Sequence, residues 1–327
     1  MNCLSESLSV PDGMERGFLL YRQDASRGCL MVRLFLRLYN PFIFDTIKGK
    51  VKQKRYSMKA TVIVDNIRTE ELHGEWGLCV YIDYDGRKVL LDAGASGLFV
   101  ENAEALGLDL TDVEYGVLSH AHYDHGNGIE QFLGVNGQAK FYVRSACREN
   151  CYSQKTYYKK YIGIPKGILK KYKDRIVYAT GDYPLADGIT LVPHKGDGLE
   201  DIGRREKMYL KVKGGWKWDN FAHEQSLVFD TPKGLVIFNS CCHGGAANVI
   251  HEVASTFPGK KVLALIGGFH LYNKTESEVR DLAAKIRETG IEYIYTGHCT
   301  GEKAFGILKE ELGDCVKQLH VGLEMEF

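Results

Sequence analysis

The chain has 327 residues, of which 44% are hydrophobic and 26% charged, and its formal net charge is +0. These values fit a soluble globular protein of one large α/β domain or two small ones. Nothing global points to nucleic acid or an anionic membrane as partner. The nine cysteines are an odd number, Cys241 and Cys242 are adjacent, and there is no CxxC pair. That pattern excludes a regular disulfide framework and makes a reducing, cytoplasmic compartment the expectation.

The N-terminal run Gly28 to Phe44 is apolar but short, and Arg33, Arg37 and Pro41 interrupt it. A membrane-spanning helix needs roughly 20 mostly apolar residues, and a signal peptide would place its apolar core nearer the start. Residues 1–57 are therefore expected to be a disordered tail or a stretch upstream of a true start at Met58. A weak membrane-surface or partner-binding segment is the competing reading.

Regular structure is expected from Met58 onward, as one domain over residues 58–327. Ala60–Val64 and Val80–Asp83 read as strands, and Asp85-Gly86 marks a hairpin turn into the returning strand Lys88–Asp92. Leu98–Leu106 has helical spacing and stops at Gly107. Tyr115–Ser119 is a short apolar strand, and Ala139–Val143 another.

The segment Arg144 to Arg175 is rich in lysine and tyrosine, with only Glu149 and Asp174 opposing its cations. It reads either as a solvated helical face or as a lid that attracts an anionic substrate. Further on, Ile189–Val192 is a strand, and Gly214-Gly215 suggests a hairpin between Tyr209–Val212 and Trp216–Trp218. Ser226–Asp230 and Leu235–Asn239 form another hairpin. Helices over Asn248–Thr256, Glu276–Glu288 and Lys303–Leu312 then alternate with strands Val262–Ile266 and Tyr293–Tyr295, and a last strand ends near Glu326.

The chemistry concentrates at Ser119–Gly128, SHAHYDHGNG, where three histidines and an aspartate follow an apolar strand within six residues. Imidazole and carboxylate are the ligands that suit zinc and similar divalent ions. On a loop, His120 and His122 can face one position while Asp124 and His125 turn toward a second beside it. Gly126 and Gly128 allow the tight backbone this needs.

HxHxDH after a strand resembles the metallo-β-lactamase superfamily, and the resemblance covers essentially all of Met58 to Phe327. The blocks NSCCHGG (Asn239–Gly245), GGFHL (Gly267–Leu271) and GHCTG (Gly297–Gly301) narrow it. They point to a metal-dependent hydrolase branch resembling dihydropterin-aminobenzene-ribofuranosyl phosphate synthase relatives. The resemblance implies an α/β fold, an αββα sandwich of two mixed sheets flanked by helices, with metals at one sheet edge. It implies His120, His122 and His243 as ligands of a first ion, and Asp124, His125 and His298 as ligands of a second. His223 is the rival of His243. Asp92 matches a supporting aspartate that fixes a histidine tautomer. Many superfamily members place a metal-bridging aspartate where this chain has Ser240, Cys241 and Cys242. Cys241 is then either a thiolate ligand or a small buried residue.

Two divalent ions, with zinc favoured, would activate water near neutral pH as a metal-bound hydroxide and polarise a carbonyl or phosphoryl oxygen. Asp124 would orient the nucleophile. His270 is expected in the same pocket as a general acid, with an extra ligand or a packing residue as its other readings. The chain has no G-x-S-x-G elbow and no P-loop to suggest another chemistry. The expected function is hydrolysis of an ester, phosphoester or amide in a small, anionic molecule, ahead of nucleic acid or membrane. The alternatives are a pterin-related synthase on the same dinuclear site and an iron-dependent redox enzyme. The flavin-linked di-iron pattern has a glutamate where His122 stands, which argues against the last.

Overall fold

A computed structural model describes residues 57–327, together with the backbone of a short hairpin in which Asp45–Ile47 pairs with Lys50–Lys52. The chain divides into two compact units, Met1–Arg55 and Tyr56–Phe327. The apolar run Gly28–Phe44 lies outside the described residues. Among those described, no helix is long and apolar enough to cross a membrane.

Three antiparallel strands open the larger unit: Met58–Val64 (β1), Cys79–Tyr84 (β2) and Arg87–Leu91 (β3). Asp85 and Gly86, both at positive φ, make the turn between β2 and β3. This is the mirror-image geometry that matches strand twist. Helix Leu98–Ala105 (α1) leads to Tyr115–Val117 (β4), which pairs parallel to β3. Two short helices follow, Tyr123–Gly126 (α2) and Ile129–Val135 (α3), then strand Lys140–Arg144 (β5).

The basic segment is not a helical face. It forms strands Cys151–Gln154 (β6) and Lys159–Tyr161 (β7), one helical turn at Ile168–Lys171 (α4), and strand Ile176–Ala179 (β8). Alternation explains this outcome. Cys151 points into the core while its neighbour Tyr152 and the paired Tyr161 make an edge-to-face contact on the other side.

Strands Tyr183–Ala186 (β9) and Ile189–Pro193 (β10) precede helix Leu199–Glu206 (α5). Met208–Val212 (β11) and Gly215–Trp218 (β12) form the hairpin expected at Gly214-Gly215. The remainder is Gln225–Thr231 (β13), Gly234–Phe238 (β14), Ala246–Thr256 (α6), Val262–Gly267 (β15), Glu276–Thr289 (α7), Tyr293–Thr296 (β16), Glu302–Leu312 (α8), Val316–Gln318 (β17) and Glu324–Glu326 (β18).

Two seven-stranded sheets result, in the orders β8-β5-β4-β3-β2-β1-β18 and β9-β10-β13-β14-β15-β16-β17. Their facing sides meet in one apolar layer that includes Val62, Ile82, Leu91, Leu191, Phe229, Phe238 and Ile266. The outer side of the first sheet packs on α1 and α3 through Phe99, Phe132 and Phe141. That of the second packs on α6, α7 and α8 through Ile250, Ile286 and Leu308. The architecture is therefore αββα. A small sheet, β12-β11-β6-β7, is appended.

Parallel runs β3-β4-β5 and β14-β15-β16 put the carboxyl ends of their strands at one edge in each sheet. Loops leaving such ends are where α/β proteins place ligand-binding groups. Asp92 follows β3, His120 follows β4, Cys241 and His243 follow β14, His270 follows β15, and His298 follows β16.

Candidate metal centre

The histidine loop divides in two because its backbone changes conformation within it. His122 is extended (φ −99°, ψ 155°) and caps α2, so Asp124 and His125 lie in the first helical turn beyond it. His120 and His122 precede the turn. The loop folds back tightly: a Cβ on Gly128 would lie 2.0 Å from the carbonyl oxygen of Ala93.

The metal-binding atoms of His120, His122 and His243 lie within 4.8 Å of one another, as do those of Asp124, His125 and His298. The two sets adjoin, with the His120 and His125 rings 4.2 Å apart. All six residues are buried. Hence every residue of the implied ligand set falls in one cradle, in the grouping the resemblance implies.

Hydrogen bonds fix which ring nitrogen faces the cradle. Asp92 Oδ2 accepts from His125 Nδ1 at 2.8 Å, from Ser119 Oγ at 2.7 Å and from Ser240 Oγ at 2.6 Å, while Oδ1 accepts the Ser119 N–H at 2.7 Å. With its hydroxyl proton committed to Asp92, Ser119 Oγ accepts from His120 Nδ1 at 2.9 Å. Asn66 Oδ1 accepts from His298 Nδ1 at 3.1 Å, and Asn66 Nδ2 donates to the His298 carbonyl at 3.0 Å. In all three rings Nδ1 donates to its partner and Nε2 is the atom turned toward the cradle, the usual arrangement of a supported histidine ligand.

The Nε2 atoms of His120, His122 and His298, and both ring nitrogens of His243, are buried without a hydrogen-bond partner. A buried polar atom without a partner costs free energy, and four such rings converging on one space are a donor set that suits a divalent cation. Burial pushes the pKa values of His120, His122 and His243 well down, and that of His298 to about 3. Each is thus held neutral, as a ligand must be. His125 differs. Burial opposes its charge, but Asp124 and Asp92 outweigh it and raise the pKa to about 9.

Four non-glycine residues of these loops have left-handed backbones: Asp92 (φ 59°), Cys242 (φ 46°), His270 (φ 50°) and His298 (φ 47°). Such conformations are costly for L-residues and persist where surrounding contacts impose them.

The rival His223 faces the loop in another way. Its Nδ1 accepts the Ala121 N–H at 3.2 Å, and its Nε2 lies 3.1 Å from Asp219 Oδ2. Both nitrogens are engaged, so His223 holds the backbone between His120 and His122. His270 lies against His243, with ring centroids 4.4 Å apart and both nitrogens buried without a hydrogen-bond partner. It borders a cleft of about 380 Å³ lined by Arg205, Lys274 and Lys285 and by Glu206, Glu278 and Asp281. The basic segment 144–175 supplies no lining residue to that cleft. It touches the site through backbone: Tyr123 N donates to Ile162 O at 2.9 Å, and Ile164 N to Ala121 O at 3.2 Å. Lys159 lies over the Tyr209 and Trp216 rings instead.

Sequence reasoning missed several supporting residues. Trp76 Nε1 donates to Asp124 Oδ2 at 2.9 Å. Asp65 accepts the His298 N–H at 3.1 Å, and burial raises its pKa to about 7. Glu224 accepts the N–H groups of His243 at 3.1 Å and Gly244 at 3.3 Å. Behind it His194 bridges Glu224 and Glu252. The one available signal was Glu224 beside the flagged His223, a buried-type pair in FAHEQS.

Residues 77–208 match the family model of the metallo-beta-lactamase superfamily. A 7,8-dihydropterin-6-methyl-4-(beta-D-ribofuranosyl)-aminobenzene-5′-phosphate synthase of Methanocaldococcus jannaschii is 26% identical over 240 residues, covering 69% of this chain and 79% of the relative. An uncharacterised protein of the same organism is 24% identical over 259 residues, 76% of this chain and 93% of that one. Among solved structures, Tm1679, a metal-dependent hydrolase of the beta-lactamase superfamily, superposes with a TM-score of 0.72 at 27% identity, covering 83% of this chain and 99% of its own. The metallo-beta-lactamase fold protein YhfI from Bacillus subtilis reaches a TM-score of 0.53 at 13% identity over 84% and 100% of the two chains, a likeness of fold alone. The histidine loop lies inside the residues 77–208 that match the metallo-beta-lactamase superfamily model, and the αββα layers are those of the metallo-β-lactamase fold.

Proposed function

We propose that this protein is a metal-dependent hydrolase acting on an ester, phosphoester or amide of a small anionic molecule. The observation that carries the reading is the set of buried imidazole nitrogens without partners in the cradle, those of His120 and His298 aimed by hydrogen bonds at the opposite ring nitrogen. His120, His122 and His243 would hold one divalent ion, and Asp124, His125 and His298 the other. Bound ions, zinc favoured, would supply an activated water and a Lewis acid at a carbonyl or phosphoryl oxygen.

The chain's own residues do the remaining work. Asp92 ties His125 and Ser119 together, and through Ser119 it orients His120. Trp76 holds Asp124 Oδ2 from the open side, leaving that carboxylate to orient the attacking group. His270 stands where the cleft meets the cradle, placed to protonate a leaving group. Burial opposes its charged form, but Cys299 and Glu206 outweigh burial and raise its pKa, which favours a proton donor near neutral pH. Arg205, Lys274 and Lys285 line the cleft with Glu206, Glu278 and Asp281, so its side-chain charges balance and the attraction for an anionic substrate would come from the bound ions.

Elemental analysis, followed by a screen of phosphodiesters, lactones and thioesters, tests the reading. Chelation should abolish turnover and zinc should restore it. The double variant H122A/D124A should lose both metal and hydrolysis, and full metal content in it would sink the ligand assignment. The 26% identical synthase favours a second reading, pterin-related synthesis on the same cradle. Product analysis separates the two, because a synthase joins its substrates and a hydrolase consumes water.

A further inference from the structure

Three cysteines stand in the loops that close the cradle, and their surroundings differ. Cys242 Sγ faces the Asn239 carbonyl at 3.5 Å and belongs to the apolar layer beneath α6, so packing accounts for it. Cys241 and Cys299 are buried free thiols outside all three apolar clusters. Their sulfurs face each other at 3.4 Å across a sequence separation of 58 residues. Cys241 Sγ lies 3.3 Å from His125 Nε2. It groups within 4.8 Å with His120 and His125 on one side, and with His298 and Cys299 on the other. It therefore sits at the junction of the two ion positions, in the block where many superfamily members carry a bridging aspartate.

The fold makes room for the second sulfur. A Cβ on Gly268 would lie 2.6 Å from Cys299 Sγ and 2.9 Å from the Ser240 carbonyl oxygen, so only glycine lets the loop after β15 pass over it. The N–H of His270 then donates to Cys299 Sγ at 3.2 Å, using the sulfur as an acceptor. A sulfur that accepts a backbone N–H and faces a second sulfur and an unpartnered imidazole is placed as a ligand.

We propose that Cys241 and Cys299 are sulfur ligands of the second ion beside His298, the residue common to both groupings at that position, which makes it a soft-metal site. The proposal rests on the two-ion reading above. Thiolate ligands favour zinc and copper(I), whereas carboxylate and water suit magnesium, calcium and manganese. The sulfur pair therefore favours zinc over magnesium, calcium and manganese, while the all-imidazole position discriminates less.

X-ray absorption at the zinc edge of the zinc-loaded full chain tests this, since Zn–S distances of about 2.3 Å separate from Zn–N and Zn–O distances of about 2.0–2.2 Å. A sulfur shell is expected in the wild type, reduced in Cys299→Ser and lost in the double variant C241S/C299S. It should persist in Cys242→Ser. Cobalt loading gives a second readout, with a near-ultraviolet thiolate-to-cobalt band in wild type and C242S and none in the double variant. Bound zinc with only nitrogen and oxygen neighbours in the wild type would overturn the sulfur ligation and leave the metal centre standing. A wild type that binds no ion would overturn both. If the serine variants fail to fold, the wild-type spectra decide alone.

Discussion

The half of the cradle built from His120, His122 and His243 and the half built from Asp124, His125 and His298 differ in charge and in what holds them. In the first, three imidazoles are neutral through burial, and apart from Ser119 on the His120 ring their support is backbone: His223 grips the Ala121 N–H and Glu224 grips the N–H groups of His243 and Gly244. In the second, a carboxylate and two cysteine sulfurs join the imidazoles, and side chains from distant segments aim the rings. Asp92 is the group both halves share. The difference teaches that one half is a preformed set of lone pairs, while the other is a charged set whose orientation depends on Asp92, Asn66 and Trp76.

Removing the shared group should have the largest effect. Asp92→Ala leaves the buried donors on Ser119, Ser240 and His125 without an acceptor, which is expected to cost about 3–5 kcal/mol. Both ions should be lost. Denaturant unfolding with metal analysis on the same sample checks it. If Asp92→Ala kept one ion at full occupancy, the halves would have separate supports.

His270→Ala sharpens the comparison from outside the two halves. Metal content should stay at the wild-type level while turnover falls by about 10²–10⁴-fold, the usual contribution of a general acid. Loss of an ion would instead make His270 a ligand.

The backbone support of the first half should show in the pH dependence of stability. His194, between Glu224 and Glu252, has its pKa raised from 6.5 to about 10: burial opposes the charge, and the two carboxylates outweigh it. A raised pKa contributes stability that is fully present below about 6.5 and is lost as pH rises through about 10. Replacing His194 by Gln should cost about 1.5–3 kcal/mol at the acid end, as for hydrogen bonds to charged groups, and little at the alkaline end. Equal unfolding midpoints for variant and wild type at low pH would remove this role.

Asn66→Ala should act on the second half alone. Loss of the His298 Nδ1 acceptor is expected to weaken one ion by about 10–100-fold and leave the other unchanged. Competition with a chromophoric chelator resolves the two affinities. Equal weakening of both would erase the distinction between the halves.

The candidate ligands could be picked out because the histidine loop is local: HxHxDH carries four of the six within one short segment. The α/β rhythm of residues 246–312 was legible too, since each element buries a full apolar face. The basic segment, read either as a helical face or as a lid, contains strands of three and four residues, too short to show alternation against its lysines. Helix α5 was missed because Gly203 is the one fully buried residue among its eight, pressed against Asp219. Asn66 and Trp76 were invisible for another reason. Their roles exist only across long separations, 232 residues between Asn66 and His298, which no local pattern encodes.

The central claim is that one cradle holds two ions in separable halves. Metal content of purified wild type, His243→Ala and His298→Ala tests it most directly. The account predicts about two ions per chain in the wild type, with three protein ligands each as a minimum, and about one in each variant. The ion remaining in His243→Ala should be the sulfur-ligated one. A wild type saturating at a single ion, or a single variant that loses both while still folded, would contradict it.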